Sequence, residues 1–184
     1  GAMVSDIIEG MLWAAGVDYH GSPARNVHPA RIINLSYGGD GSCADLGTGA
    51  HDVGWLYRQT IATLKSQGVL VVASAGNGDT STGLGHWGVT RPANCAGVLA
   101  VTGLNHRGYK ASYANLMRVD SVQSFGVAVA SGDVARDRFG NNVLADPGVV
   151  TLRNSGSVSP TDYFELRAQV GTSMAAPMAA GVAA

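Results

Sequence analysis

Three short runs of consecutive apolar residues constrain this chain more than any other feature. They are Arg31-Ile32-Ile33-Asn34-Leu35-Ser36, Val69-Leu70-Val71-Val72-Ala73 and Val98-Leu99-Ala100-Val101-Thr102. A strand that faces water on one side alternates apolar and polar residues. Runs without that alternation suit strands covered on both faces, as in parallel sheets layered between helices. Helix-period segments precede and separate them. Val4, Ile7, Ile8, Met11, Leu12 and Ala15 share one helical face, with Ser5 or Asp6 near its start and Gly16 closing it. Val53, Leu56, Tyr57, Thr60, Ile61 and Leu64 form a second stripe, and Gly68 sits where a helix-terminating glycine belongs. The order helix, strand, helix, strand, strand predicts an α/β fold on a largely parallel sheet.

The remaining segments are less periodic. Residues 17–30, 38–50 and 79–96 are Gly- and Pro-punctuated and read as loops. Between 105 and 168 the pattern is weak, with short apolar pieces at Val127 and Val129, a polar Gly-rich stretch over 132–148, and a predicted strand at Val149-Val150-Thr151-Leu152. The Ala-rich tail from Gly171 to the end is helical in propensity.

Composition narrows the function classes. The 184 residues are 46% hydrophobic and 14% charged, well below the usual charge of about 25%, which suits one domain with a substantial core. With 12 basic and 13 acidic residues there is no basic excess to attract nucleic acid, and no run of about 18 apolar residues to cross a membrane. Cys43 and Cys95 are compatible with one disulfide or with two buried thiols.

Three fragments sit at the ends of elements that should converge on one rim. In Gly171-Thr172-Ser173-Met174-Ala175, a serine between small residues opens a helix. Its hydroxyl would be accessible, and helix-start N–H groups would point where an oxyanion forms. Taken alone, Ser173 serves equally as a helix N-cap. Ala75-Gly76-Asn77 follows a buried strand, at the carboxyl edge where open α/β sheets bind ligands. Asn77 could donate to developing negative charge, or simply form an Asn-Gly turn. Ser36-Tyr37-Gly38-Gly39 leaves a strand at the same edge and could pair with an extended peptide, or be a plain exit to a loop.

Four segments resemble the subtilisin-like serine proteases, the subtilases: 31–39 (RIINLSYGG), 68–77 (GVLVVASAGN), 91–101 (RPANCAGVLAV) and 171–184 (GTSMAAPMAAGVAA). The likeness extends over most of the chain, is weakest over 105–150, and is nearest to secreted bacterial members. It implies a subtilisin-like three-layer α/β fold, truncated at both ends. It implies a serine endopeptidase acting on polypeptides, with Ser173 as the acyl-forming nucleophile. Asn77 and the Ser173 backbone N–H would be the oxyanion donors. Ser36, Tyr37 and Gly38 would pair with substrate backbone, and Ala75 and Gly76 would line the pocket for the residue preceding the scissile bond. It further implies a Cys43–Cys95 disulfide, closing a loop of about fifty residues worth at most about 4 kcal/mol, and an oxidising, extracellular setting. No cofactor is needed for the chemistry, and structural calcium is conceivable in the parent protein. Asp40, Asp45, Asp79, Asp133 and Asp137 lie in loops but lack a calcium-loop spacing, so no metal residue is expected.

The sequence also departs from the family. Tyr37 stands where Leu is usual, Met178 where a non-catalytic His is usual, and Phe125-Gly126 where an Ala-Pro-Gly turn is usual. Met174, beside the nucleophile, is a candidate for activity-lowering oxidation in the parent. A serine needs a base, which in subtilases is a His oriented by an Asp, both upstream. None of His20, His28, His51, His86 and His106 lies in such a motif. Residues 4–184 are therefore expected to be the C-terminal portion of a subtilase catalytic domain, inactive alone. Gly1-Ala2-Met3 resembles the remnant of a cleaved tag, and excised sheet edges could favour self-association. Two other classes compete: a non-catalytic subtilase-like binding or scaffold domain, and a flavodoxin-like ligand-binding domain. The second needs a phosphate loop that Ser36-Tyr37-Gly38-Gly39 poorly supplies.

Overall fold

The computed structural model describes residues 3–19, 26–44, 52–78, 84–85, 88–116, 125–134, 146–156 and 158–184. Helix α1 (Val4–Ala14) begins where the Asp6 carboxylate accepts the Met3 N–H, and ends at Gly16, whose φ of 71° suits glycine. Helix α2 (Val53–Ser66) is capped by Asp52, whose carboxylate accepts the amides of Gly54 and Trp55, and is closed by Gly68 at φ 73°.

The apolar runs form β1 (Ile32–Leu35), β2 (Leu70–Ser74) and β3 (Val98–Leu104). With β4 (Phe125–Ala130) they make a four-stranded sheet in the order β1-β2-β3-β4, parallel throughout, with Ile33 beside Val71 and Ala73 beside Ala100. An antiparallel hairpin of β5 (Val149–Asn154) and β6 (Phe164–Gln169) precedes α3 (Thr172–Ala183).

Three layers result. Ile8 and Met11 of α1 and Tyr57, Ile61 and Leu64 of α2 pack with Ile33, Val71, Ala73, Val98 and Ala100 on one face of the sheet. On the other, Ala175, Ala176 and Ala179 of α3 pack with Val72 and Val101. Both faces of β2 and β3 are thus covered, which is why their sequences do not alternate. The expected three-layer α/β architecture on a parallel sheet is present.

Cys43 and Cys95 are joined in a disulfide with Cα atoms 5.0 Å apart, so neither is a free thiol. Phe125 and Gly126, which stand where the family usually has an Ala-Pro-Gly turn, open β4; residues 119–124 lie outside the described part. Among the described residues no helix is long and apolar enough to cross a membrane.

Candidate active site

Because the strands are parallel, their carboxyl ends share one edge. The segments after β1 and β2 and the start of α3 meet there. Gly171, not Ser173, caps α3, at φ 144°; Ser173 is the second helical residue. The simple N-cap alternative for Ser173 therefore fails. An N–H in the first turn has no intrahelical acceptor, so the Ser173 amide is available to a ligand at the positive end of the helix.

Asn77 is held from 95 residues away. Its Oδ1 accepts both the Thr172 N–H and the Thr172 hydroxyl, each at 2.8 Å. The Thr172 Oγ1 in turn accepts the Gly76 N–H at 3.2 Å, which leaves its one proton for Asn77. These two bonds assign the carboxamide: Oδ1 faces Thr172, and Nδ2, a pure donor, is left for the cleft. Asn77 is more than a local Asn-Gly turn. Gly171 fits between the two donors. A Cβ placed there would lie 3.5 Å from Asn77 Nδ2 and 3.8 Å from the Ser173 nitrogen, in a backbone conformation that L residues rarely adopt.

Ser36, Tyr37, Gly38, Gly76, Asn77 and Ser173 line one cleft of about 390 Å³, together with Ser74, Thr90 and Thr172. Ala75 is placed differently. It is buried and lines a second, smaller cavity with Val89, Ala100 and Leu116, so Ser74 and Gly76 rather than Ala75 edge the serine cleft. Thr90 sits between the two glycine walls. A Cβ at Gly38 would collide with the Thr90 hydroxyl, and one at Gly76 would come within 2.9 Å of Thr90 Cγ2. The Gly39 and Arg91 backbones exchange hydrogen bonds of 2.9 and 3.0 Å, and Asn94 Nδ2 donates to the Gly41 carbonyl at 3.0 Å. With the disulfide, these bonds fix the strand exit against the segment carrying Thr90. Tyr57 lies buried near the exposed Tyr37; burial first, then Tyr37, raises its phenol pKa.

The described histidines do not line this cleft. His28 is exposed, and His106 pairs with the buried carboxylate of Asp146, which also accepts the His106 amide at 2.9 Å. His20, His51 and His86 lie outside the described residues, as do Asp45, Asp79 and Asp137. Asp40 is exposed at the cleft, and Asp133 accepts the Ser112 amide and hydroxyl. Among the described residues no three His, Cys, Asp or Glu side chains cluster, so these residues do not form a carboxylate cage for calcium.

Residues 2–184 match the profile of the subtilase family, Peptidase_S8. The chain belongs to that family. It is 38% identical to an extracellular protease of Xanthomonas campestris pv. campestris and 30% identical to an extracellular basic protease of Dichelobacter nodosus, in each case over 100% of this chain. It spans only 25% and 24% of those two proteins, about a quarter of the curated relatives it matches. Among solved structures, a protease from Pseudoalteromonas arctica is 34% identical with a TM-score of 0.74, covering 100% of this subtilase chain and 46% of that one. Subtilases generally need no cofactor for catalysis. Thr172, Ser74 and Thr90 were missed as cleft residues. Thr172 stands inside the GTSMA string, and that adjacency was the available signal.

Proposed function

We propose that this subtilase chain forms the nucleophile half of a secreted serine endopeptidase. Ser173 attacks the peptide carbonyl to form the acyl-enzyme. The Asn77 carboxamide and the Ser173 N–H receive the oxyanion, and the Ser36–Gly38 segment pairs with substrate backbone. The general base and its orienting acid come from outside the described residues. The observation that carries this reading is the pair of Thr172 bonds to Asn77 Oδ1, which leaves Nδ2 facing the cleft that Ser173 lines. Extracellular names in two relatives and the disulfide support secretion. The outer strands β1 and β4 offer edges through which isolated chains would self-associate.

The test is hydrolysis of an unfolded protein substrate by the full-length protein. Ser173→Ala should abolish it, leaving at most the residual rate that binding and the oxyanion site can give. Undiminished hydrolysis by Ser173→Ala would end the assignment. Thr90 fills the space between Gly38 and Gly76 in this cleft, so Thr90→Gly should widen it and shift preference toward larger side chains before the scissile bond. A peptide-library cleavage profile identical to wild type would contradict that role.

A further inference from the structure

Helix α3 carries a proline at its sixth residue, Pro177. An interior proline has no N–H for the carbonyl four residues back, and its ring pushes that carbonyl off the helix axis. Four residues before Pro177 is Ser173. The nucleophile's own carbonyl is therefore the one that Pro177 deprives of its amide partner four residues on.

Another element supplies the missing donor. The Ser36 hydroxyl, just past β1 and 137 residues away in sequence, donates to the Ser173 carbonyl oxygen at 2.8 Å. The direction of that bond is set by a second one. Asn34 Nδ2 donates to Ser36 Oγ at 2.9 Å, so the hydroxyl accepts from Asn34 and has its single proton left for Ser173.

We propose that Asn34 and Ser36 are positioning residues that replace the amide lacking at Pro177, and so hold the turn carrying Ser173 against the strand that binds substrate. The inference deepens the proposed function and rests on Ser173 being the nucleophile. Ser36 then has two separable duties. Its backbone belongs to the substrate-pairing segment, and its side chain steadies the attacking residue. Removing the hydroxyl leaves the pairing backbone in place, so kcat falls while KM holds.

The pairing with Pro177 makes the idea testable by rescue. Pro177→Ala restores an N–H four residues after Ser173, which makes the Ser36 hydroxyl redundant. In the full-length protein, Ser36→Ala alone should lower the second-order rate of Ser173 phosphonylation by a fluorophosphonate, and kcat, by about two- to tenfold, the range of one neutral hydrogen bond. In a Pro177→Ala background the same Ser36→Ala change should cost nothing. A residue that merely stabilised the fold would show the same loss in both backgrounds, and that result overturns the proposal.

A second readout needs no catalysis. The sequence has a single Ser-Met dipeptide, Ser173-Met174, so the chain labelled with 13C-carbonyl serine and 15N methionine gives one carbonyl–amide correlation. Ser36→Ala should shift that carbonyl resonance toward a weaker hydrogen bond, and adding Pro177→Ala should move it back. An unmoved resonance in Ser36→Ala overturns the inference. If phosphonylation proves independent of Ser173, the nucleophile assignment fails, and the carbonyl resonance still decides whether the bond exists.

Discussion

The carboxyl edge of the parallel sheet and the β5–β6 hairpin are held together by different means. At the edge, polar side chains bridge residues far apart in sequence: Thr172 to Asn77, and Ser36 to Ser173. The hairpin is a local ladder, running from Val149 beside Gln169 to Asn154 beside Phe164. Its Val150, Leu152, Phe164 and Leu166 are 64–76% exposed. The difference teaches where specificity resides. A cross-element bond fixes the direction of one proton or one carboxamide, so a single-atom change there alters chemistry. A backbone ladder tolerates exchange of side chains that touch little.

The sharpest way to break this contrast is Asn77→Ala. In the full-length protein kcat should fall about 10²- to 10³-fold with KM nearly unchanged, since the donor acts on charge that develops in the transition state. Steady-state kinetics on a peptide substrate measure it, and a tenfold rise in KM at constant kcat would contradict the role. Next in size is the disulfide that braces the cleft. Cys43→Ser with Cys95→Ser should lower unfolding free energy by about 2–4 kcal/mol in urea titration. An unchanged midpoint would show that the Gly39–Arg91 and Asn94 bonds suffice.

A smaller effect is expected at the periphery, where His106 meets Asp146. Burial pushes the Asp146 carboxyl pKa up. The hydrogen bonds from the His106 ring and amide, with the charges of His106 and Arg107, outweigh it and leave the carboxyl below its usual 3.8. A depressed acid stabilises the fold above its unfolded value. That contribution is present above pH 3.8 and is lost as pH falls through the lower folded value. Asp146→Asn should therefore lose stability at pH 6 yet show a smaller drop in Tm between pH 5 and pH 3 than wild type. Equal drops would contradict the pairing. The smallest effect belongs to the hairpin. Leu152→Thr, on an exposed β-strand, should change stability by no more than about 0.5 kcal/mol and leave kcat alone.

The same contrast explains what was legible in the sequence. Strands β1, β2 and β3 announced themselves because burial on both sheet faces leaves an apolar run, α1 and α2 because burial of one face leaves a helical period, and α3 because its segment is Ala-rich. Strand β6 did leave a period, Phe164, Leu166 and Ala168 alternating with Glu165, Arg167 and Gln169, but both of its faces are exposed and the six residues were not picked out within the weakly patterned stretch. Strand β4 showed only Val127 and Val129, because Phe125 and Val127 stay exposed. At the cleft, Ser36, Gly76 and Asn77 could be placed because each follows a strand whose direction the parallel sheet dictates, and Ser173 because it opens the last helix. The grip of Thr172 on Asn77 and of Ser36 on Ser173 could not, since each bond spans more than ninety residues and depends on the registration of separate layers. Ala75 and Gly76, expected to line the pocket for the residue preceding the scissile bond, follow β2 in consecutive positions but edge different cavities, Ala75 the one with Val89, Ala100 and Leu116 and Gly76 the one with Ser173.

The most direct test of the central claim is to treat the full-length protein with a fluorophosphonate and locate the adduct by peptide mapping. A single adduct on Ser173, slowed but not relocated in Asn77→Ala, is the outcome predicted here. An adduct on any other serine, or labelling of Ser173 at the same rate without the Asn77 carboxamide, would contradict it.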